Sequence, residues 1–497
     1  MGGVADVVRD LPAALVAGGW AATVVIPSYG TLHELPGAKK LCDINVGFAG
    51  ETTIASAWIV PGRLPGVRNI VIDHERFSRD GLGVIYFGDE PEAPYAADAN
   101  KFAFLCASVA SWIKSLAKAP DVVHLHDWHA AFYCVLREYD PAFVALKDIR
   151  TVFTVHNLSY QGTRPLDDHE SSLRAWFPSI EADDRVQDPV YRNCINPMAT
   201  AIRLADIVST VSPTYATEIC LPSDPEVAFI GGEGLESDLQ EAAAAGRLVG
   251  ILNGCFYDQP ATNVDWDRFL NLARTQVDAW AKAKPDNPSH GLAKRRLEKL
   301  GARPLSVLTS VGRLVAQKAT LFATQTTDGI SALARLAADA GDDGLIIILG
   351  SGEPEFEEAV FTAAQSAPNI LFLNGYSESL ADPLYELGDL FLMPSSFEPC
   401  GISQMLAMRA GQPCIVHGVG GLDDTVENEF TGFVFEGDSL ASQVQAFIAT
   451  VSRAQRWQRK KKRAFAAMRK AARACRFEWS TAARNTIALL YGDEDAQ

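Results

Sequence analysis

The chain has 497 residues, 48% of them hydrophobic, enough at ~100 to 200 residues per domain for two or three full-sized cores. A formal charge of -17 and a pI of about 5.0 exclude a general binder of nucleic acid or anionic membrane, since both attract basic faces. Any anionic ligand must therefore be met by locally placed Arg and Lys. Nine cysteines are scattered from Cys42 to Cys475 without a C-x-x-C pair, which reads as reduced thiols and a cytoplasmic address. No apolar run approaches the ~18 residues of a membrane span, and no charged n-region with an apolar h-region opens the sequence.

In chain order, Val4, Val7, Val8, Leu11 and Leu15 share one helical face that ends at Gly18-Gly19. The Gly2-Gly3 loop in front of this helix has no strand before it. The first strand of a doubly wound sheet is central, so the expectation is of a missing first strand and an unpaired edge on both of its neighbours. Short β-branched runs follow at 22–26, 121–124, 151–155 and 207–211, then at 305–311, 345–349, 370–373, 390–393 and 413–416. They alternate with helical patterns, the rhythm of parallel sheets with crossover helices. Gly231-Gly232-Glu233-Gly234 and Gly250-Ile-Leu-Asn-Gly254 lie between the two groups and suit turns and a hinge. The expected fold is α/β, two doubly wound domains facing a central cleft, with ligands beyond the carboxyl ends of strands. The basic run Arg459 to Arg463 reads as a solvated helix face.

Polar residues gather at four of these strand ends. Asp121-Val-Val-His124-Leu-His126-Asp127-Trp128-His129 runs from an apolar strand into imidazoles, a carboxylate and an indole. The choice lies between a metal site and sugar recognition. H-x-H-D-x-H at a strand tip does not hold ligands on one face as a helical H-E-x-x-H does. Sugar recognition is preferred, with Asp and His bonding hydroxyls and Trp128 covering a pyranose face. Thr154-Val155-His156-Asn157 caps a second strand. Gly312-Arg313-Leu-Val-Ala-Gln-Lys318 puts two cations five residues apart beside a third, a spacing suited to clamping a diphosphate, although taken alone it reads first as two solvated charges. The fourth strand leads into Ser395-Ser396-Phe397-Glu398-Pro399-Cys400-Gly401-Ile402-Ser403-Gln404, a lone carboxylate followed by a helix start whose free N–H groups suit phosphate oxygens. Gly418-Val-Gly-Gly421-Leu-Asp-Asp424-Thr425 repeats the arrangement.

Taken in order, these segments resemble bacterial glycogen synthases and plant starch synthases, retaining glycosyltransferases of the GT-B fold. The matching stretches are GGVADV at 2–7, HDWH at 126–129, TVHNLSYQG at 154–162, TVSPTYATEI at 210–219, GILNG at 250–254, GRLVAQK at 312–318, LGSGEPEFE at 349–357, SSFEPCGISQ at 395–404 and GGLDDTV at 420–426. The resemblance implies an amino-terminal acceptor-side domain at 1–249 and a nucleotide-sugar domain at 250–475. It also implies a terminal helix at 476–497 packing back on the first domain. The implied partners are ADP-glucose, as a substrate, and an α-1,4-glucan; no cofactor, metal, nucleic acid or membrane is implied. Arg313 and Lys318 would hold the diphosphate with help from the Gly401, Ile402 and Ser403 backbone. Glu398 and Cys400 would sit at the glucosyl ring and Tyr376 on the adenine. His156 and Asp127 would face the sugar from the first domain, Asn253 would lie at the hinge, and Gly2 and Gly3 would flank the site.

The implied reaction is front-face displacement. The leaving diphosphate helps to deprotonate the acceptor hydroxyl, and Glu398 orients the sugar without acting as a nucleophile. Departures from the family pattern are Ala319 for a glycine after Lys318, Cys255-Phe256 for Ile-Asp after GILNG, and a poor match over 165–195. The family's K-x-G-G lysine would fall one position before Met1, so a sequence beginning past that lysine and its strand is expected, with impaired folding and activity. The alternatives are a related glucosyltransferase with a short acceptor such as glucose 1-phosphate, and a non-catalytic glucan-binding homologue. A phosphorylase would need a pyridoxal-phosphate lysine site that the sequence does not show.

Overall fold

Helix α1 (Gly3–Ala17) buries Val7, Leu11 and Leu15 and ends where Gly18 and Trp20 donate back to the carbonyls of Ala14 and Leu15. It belongs to the first of two units into which the chain divides in this computed structural model, which describes residues 3–79, 81–86, 94–226, 228–257 and 262–492. Unit 1 comprises Met1–Ser223, Gly231–Gly254 and Trp479–Gln497; unit 2 comprises Asp224–Ile230 and Cys255–Glu478.

Unit 1 holds two four-stranded sheets. In one, β1 (Thr23–Pro27) pairs in parallel with β4 (Arg68–Asp73), which continues antiparallel to β3 (Glu51–Val60) and β2 (Lys39–Phe48). The two-residue turn between β2 and β3 is Ala49-Gly50, both at positive φ, which matches the twist of a hairpin. The other sheet is parallel, with β5 (Val122–His126) at one edge, then β6 (Arg150–Val155), β9 (Ile207–Thr210) and β10 (Leu248–Gly250). A two-residue ladder, β7 (Arg164–Pro165) with β8 (Cys194–Ile195), stands apart. Among the described residues, strands β1 and β5 each pair on one side only.

One hydrophobic core serves both sheets, joining Ile44, Val46, Phe48 and Ile72 to Leu125 and Phe153 through α2 (Ala96–Ser115) and α3 (Asp127–Tyr139). Each such buried side chain stabilises by roughly 1.5–3 kcal/mol. The final segment returns to this unit. Helix Trp479–Asn485 packs on α1 and runs into a π-helical turn, Thr486–Tyr491. There Tyr491 lies 4.8 Å from the Trp20 ring and its hydroxyl meets His124 Nδ1 at 3.0 Å, so one residue ties the approach to β1 to strand β5.

Unit 2 is one six-stranded parallel sheet of β11 (Ser306–Val311), β12 (Gly344–Gly350), β13 (Ile370–Asn374), β14 (Leu390–Met393), β15 (Cys414–His417) and β16 (Phe433–Phe435). The spatial order is β13-β12-β11-β14-β15-β16. Along β12, Ile346 and Ile348 enter one apolar layer while Leu345, Ile347 and Leu349 enter the other, so both faces are covered. That is why the strand reads as an unbroken apolar run. The strand order reverses between β11 and β14, and a doubly wound sheet offers its ligand crevice just beyond the carboxyl ends of such a pair.

Candidate active site

On unit 2 the loops leaving β11 and β14 meet at that crevice. Ser396 N–H donates to the Gln317 carbonyl at 2.8 Å and Gln317 Nε2 to the Phe397 carbonyl at 3.0 Å, joining helix Ala316–Ala323 to the segment after β14. This seam brings Lys318 Nζ to 2.9 Å from Glu398 Oε2, which also accepts from Ser395 Oγ at 3.0 Å. Glu398 is 5% exposed, so its charge is met by a cation and a hydroxyl rather than by bulk water. Arg313 is exposed on the loop leading into the helix that carries Lys318, and the two share the lining of one small crevice with Ser395. His417, at the end of β15, stacks on Phe435 and donates from Nδ1 to the Ser395 carbonyl at 3.1 Å.

The two glycine-bearing loops interlock. Gly421 N–H donates to the Glu398 carbonyl at 3.0 Å, and a Cβ at Gly421 would overlap the Cys400 carbonyl. Gly401 sits at φ +72°, in the left-handed region, directly over the buried Gln404 side chain. Gln404 Nε2 donates to the Cys400 and Gly401 carbonyls at 2.9 and 3.0 Å. Cys400 is buried, Ile402 caps the seven-residue helix Ser403–Arg409, and Ser403 is its first residue. Tyr376 lies exposed beyond β13, its hydroxyl 3.4 Å from Glu378.

On unit 1 the ends of β5 and β6 converge. Asp127 is held at φ +56°, an uncommon conformation for a non-glycine residue, and its Oδ1 accepts the His156 backbone N–H at 2.7 Å. Burial raises the Asp127 carboxyl to about 7, although the backbone N–H groups of His156 and Asn157 pull the other way. His126 Nδ1 lies 3.0 Å from His156 Nε2, and burial holds both rings neutral. Among the described residues, His156 Nδ1 is buried without a partner.

The structure thus gathers Arg313, Lys318, Glu398, Cys400, Gly401, Ile402 and Ser403 on unit 2, and Asp127 with His156 on unit 1. Gly3 opens α1 and is exposed, Asn253 lies half-buried after β10, and Gly2 falls outside the described residues. Trp128 corrects the sequence reading. It is 2% exposed, packed edge-on by Phe102 and Tyr95, with Gly162 pressed against the indole, so no sugar reaches its face. Sequence reasoning passed over Ser395, Gln317 and His417 as site residues. The first and third stand at or just beyond strand ends, the signal that found the others.

Residues 1–241 match the family model for the starch synthase catalytic domain and 303–464 that for group 1 glycosyl transferases. A glycogen synthase from an Anaeromyxobacter species is 34% identical over 98% of this chain and 95% of its own length. The chain belongs to the glycogen synthase family. A second glycogen synthase, from Deinococcus radiodurans, is 32% identical over 99% of the chain and 96% of its own length. Among solved structures, the catalytic domain of starch synthase IV from Arabidopsis thaliana, bound to ADP and acarbose, superposes with a TM-score of 0.75 at 26% identity. That match covers 100% of this chain and 97% of the other. A sucrose-phosphate synthase from Thermosynechococcus elongatus, 16% identical with a TM-score of 0.56, shares the fold. Membership in the glycogen synthase family makes this chain a hexosyltransferase of GT-B fold. No helix among the described residues is long and apolar enough to cross a membrane.

Proposed function

We propose that this chain transfers glucose from ADP-glucose to the non-reducing end of an α-1,4-glucan, with retention at the anomeric carbon. The observation that carries the proposal is the Lys318–Glu398 pair at 2.9 Å, seated beyond β11 and β14 where the strand order reverses. A nucleotide diphosphate placed there meets Lys318 and Arg313, while the adjoining sugar meets the Glu398 carboxylate. Tyr376 stacks on adenine, and the backbone from Cys400 through Gly401, Ile402 and Ser403 borders the diphosphate and the sugar.

In the reaction the bond from the glucosyl carbon to the diphosphate oxygen breaks as the acceptor hydroxyl oxygen bonds the same carbon from the same face. The hydroxyl proton passes to the departing diphosphate, and ADP leaves. Negative charge builds on that leaving group, so the fixed cations Arg313 and Lys318 act most strongly at the transition state. Glu398 accepts hydrogen bonds from sugar hydroxyls and stabilises positive charge at the ring. His156 and Asp127 bind sugar hydroxyls from the acceptor-side domain, 1–249, with Asn253 in the hinge that follows it and Gly3 beside the site. The donor-side domain is 250–475, followed by the terminal helix 476–497. A cytoplasmic location, where nucleotide sugars are made, agrees with nine unbridged cysteines.

Incorporation of radiolabelled glucose from ADP-glucose into glycogen tests this reading, with UDP-glucose run alongside. Label in polymer, released by an α-1,4-specific amylase, is the expected result. Transfer from neither donor, by a folded chain that also fails to bind ADP, would refute it.

A further inference from the structure

We propose that His126 is a positioning residue that fixes the tautomer of His156, and with it the side of the ring that accepts a hydrogen bond from a substrate hydroxyl. The geometry begins with two adjacent residues gripping one. At the end of β5, Asp127 Oδ1 holds the His156 backbone N–H at 2.7 Å while His126 Nδ1 holds the His156 ring at Nε2, 3.0 Å away. The left-handed turn at Asp127 lets both side chains reach residue 156. His126 is itself pinned, stacked on His124 at 4.4 Å, and His124 is anchored through Tyr491 at 3.0 Å and Thr154 at 2.6 Å.

Burial keeps both rings neutral, so each carries one proton and exactly one proton lies between Nδ1 of His126 and Nε2 of His156. If it belonged to His126, the second nitrogen of His156 would be a buried N–H with no acceptor. If it belongs to His156, that nitrogen is a lone pair. Orphaned N–H groups are the rarer and costlier of the two, so the proton resides on His156 Nε2 and is donated to His126. His156 Nδ1, buried and without a partner among the described residues, is left as an acceptor. Within the glucosyl-transfer reading, on which the kinetic part of this inference rests, the partner it takes is a sugar hydroxyl.

The test uses the full chain with 15N-labelled histidine and reads the tautomer of His156 from its ring nitrogen shifts, with no donor or acceptor present. The protein and His126→Asn, whose amide oxygen stands where Nδ1 stood, should both show His156 as the Nε2–H form. His126→Phe keeps the stacking on His124 and should lose that form. His126→Gln moves the polar atom past the Nδ1 position and should lose it too, which keeps the test decisive if the phenylalanine variant does not fold. In glucosyl transfer, kcat should fall about 10- to 100-fold in the Gln variant with the donor KM within about twofold, and recover in the Asn variant. An Nδ1–H form in the unmodified protein, or an unchanged His156 signal in both His126→Gln and His126→Phe, would overturn the inference. Because the spectra need no activity, failure of the glucosyl-transfer reading would show separately.

Discussion

Lys318 and Glu398 depend on each other more than either depends on the rest of unit 2. A buried carboxylate deprived of its cation is left uncompensated, so removing either partner costs more than the pair contributes. Replacing Lys318 with Gln should lower kcat by about 10²- to 10³-fold, the usual magnitude for losing one stabilising contact to developing charge, and should weaken ADP binding measured by calorimetry. Replacing Glu398 with Gln keeps the shape and the Ser395 contact; transfer should fall by a similar factor while ADP binding holds. The buried imidazoles give a second prediction. Burial brings His126 to about 4 and His129 to about 3, with His124 and His156 also well below 6.5. Unfolded, these groups titrate near 6.5, so the stability they confer is complete above that pH and is lost as pH falls toward 4. His126 alone accounts for on the order of 3 kcal/mol across that window. Asp127, raised to about 7, has the opposite sign, favouring the fold at low pH and losing that effect as pH rises through 7. Four rings outweigh one carboxyl. Unit 1 should therefore unfold at lower urea concentration at pH 5 than at pH 7, followed through amide exchange in β5 and β6. At this scale the strand-end positions of Asp127 and His156 were legible in the sequence because each stands just past an apolar strand. The burial of Trp128 was not, since it is made by Tyr95, Phe102 and Gly162 from separate stretches of chain.

Strands divide by how their burial is written. Those of unit 2 are covered on both faces and announce themselves as apolar runs, so the sequence reading locates β11 to β15 to within a residue or so. The hairpin β2–β3 escaped it because only one face is buried. Ile44, Val46 and Phe48 point inward while the residues between them are exposed, a period of two that never produces a continuous run. β16, three residues long, is too short to register. The open edges of β1 and β5 carry a dynamic consequence. In a parallel strand, successive N–H groups face opposite sides, so an edge strand leaves about half of them without a ladder partner. Hydrogen exchange in 23–27 and 122–126 should outpace that in 68–73 and 150–155, read by mass spectrometry on matched peptides. The interlocked loops yield a further test. A methyl at Gly421 would collide with the Cys400 carbonyl, and neither backbone can move without displacing Glu398. Gly421→Ala should raise the donor KM and lower kcat together while the melting temperature of unit 1 stays unchanged.

The two units own separate cores: no residue of the two apolar layers of unit 2 lies outside 255–478, and the main core of unit 1 lies wholly within residues 44–242 among the buried residues described. A chain of residues 255–478 alone should therefore fold cooperatively and bind ADP. A titration by calorimetry and a single sigmoidal melt would check this, and a molten product without a transition would contradict it. The division into two α/β halves was visible in the sequence as two groups of strands. That unit 1 is completed by Trp479–Gly492 rests on side-chain contacts such as Tyr491 with Trp20 and His124, which no local pattern encodes.

This return of the last helix to the first unit sets an order of events during synthesis. Nearly all of unit 1 leaves the ribosome first, yet Trp479 and Tyr491 arrive only after the whole of 255–478 has been made. At translation rates of about 5–20 residues per second the wait is roughly 10 to 45 s. Unit 2, though begun later, has every residue of its cores in hand earlier. The nascent first half must wait meanwhile without the Tyr491 contacts to Trp20 and His124, so it is the half that a chaperone would be called on to shield.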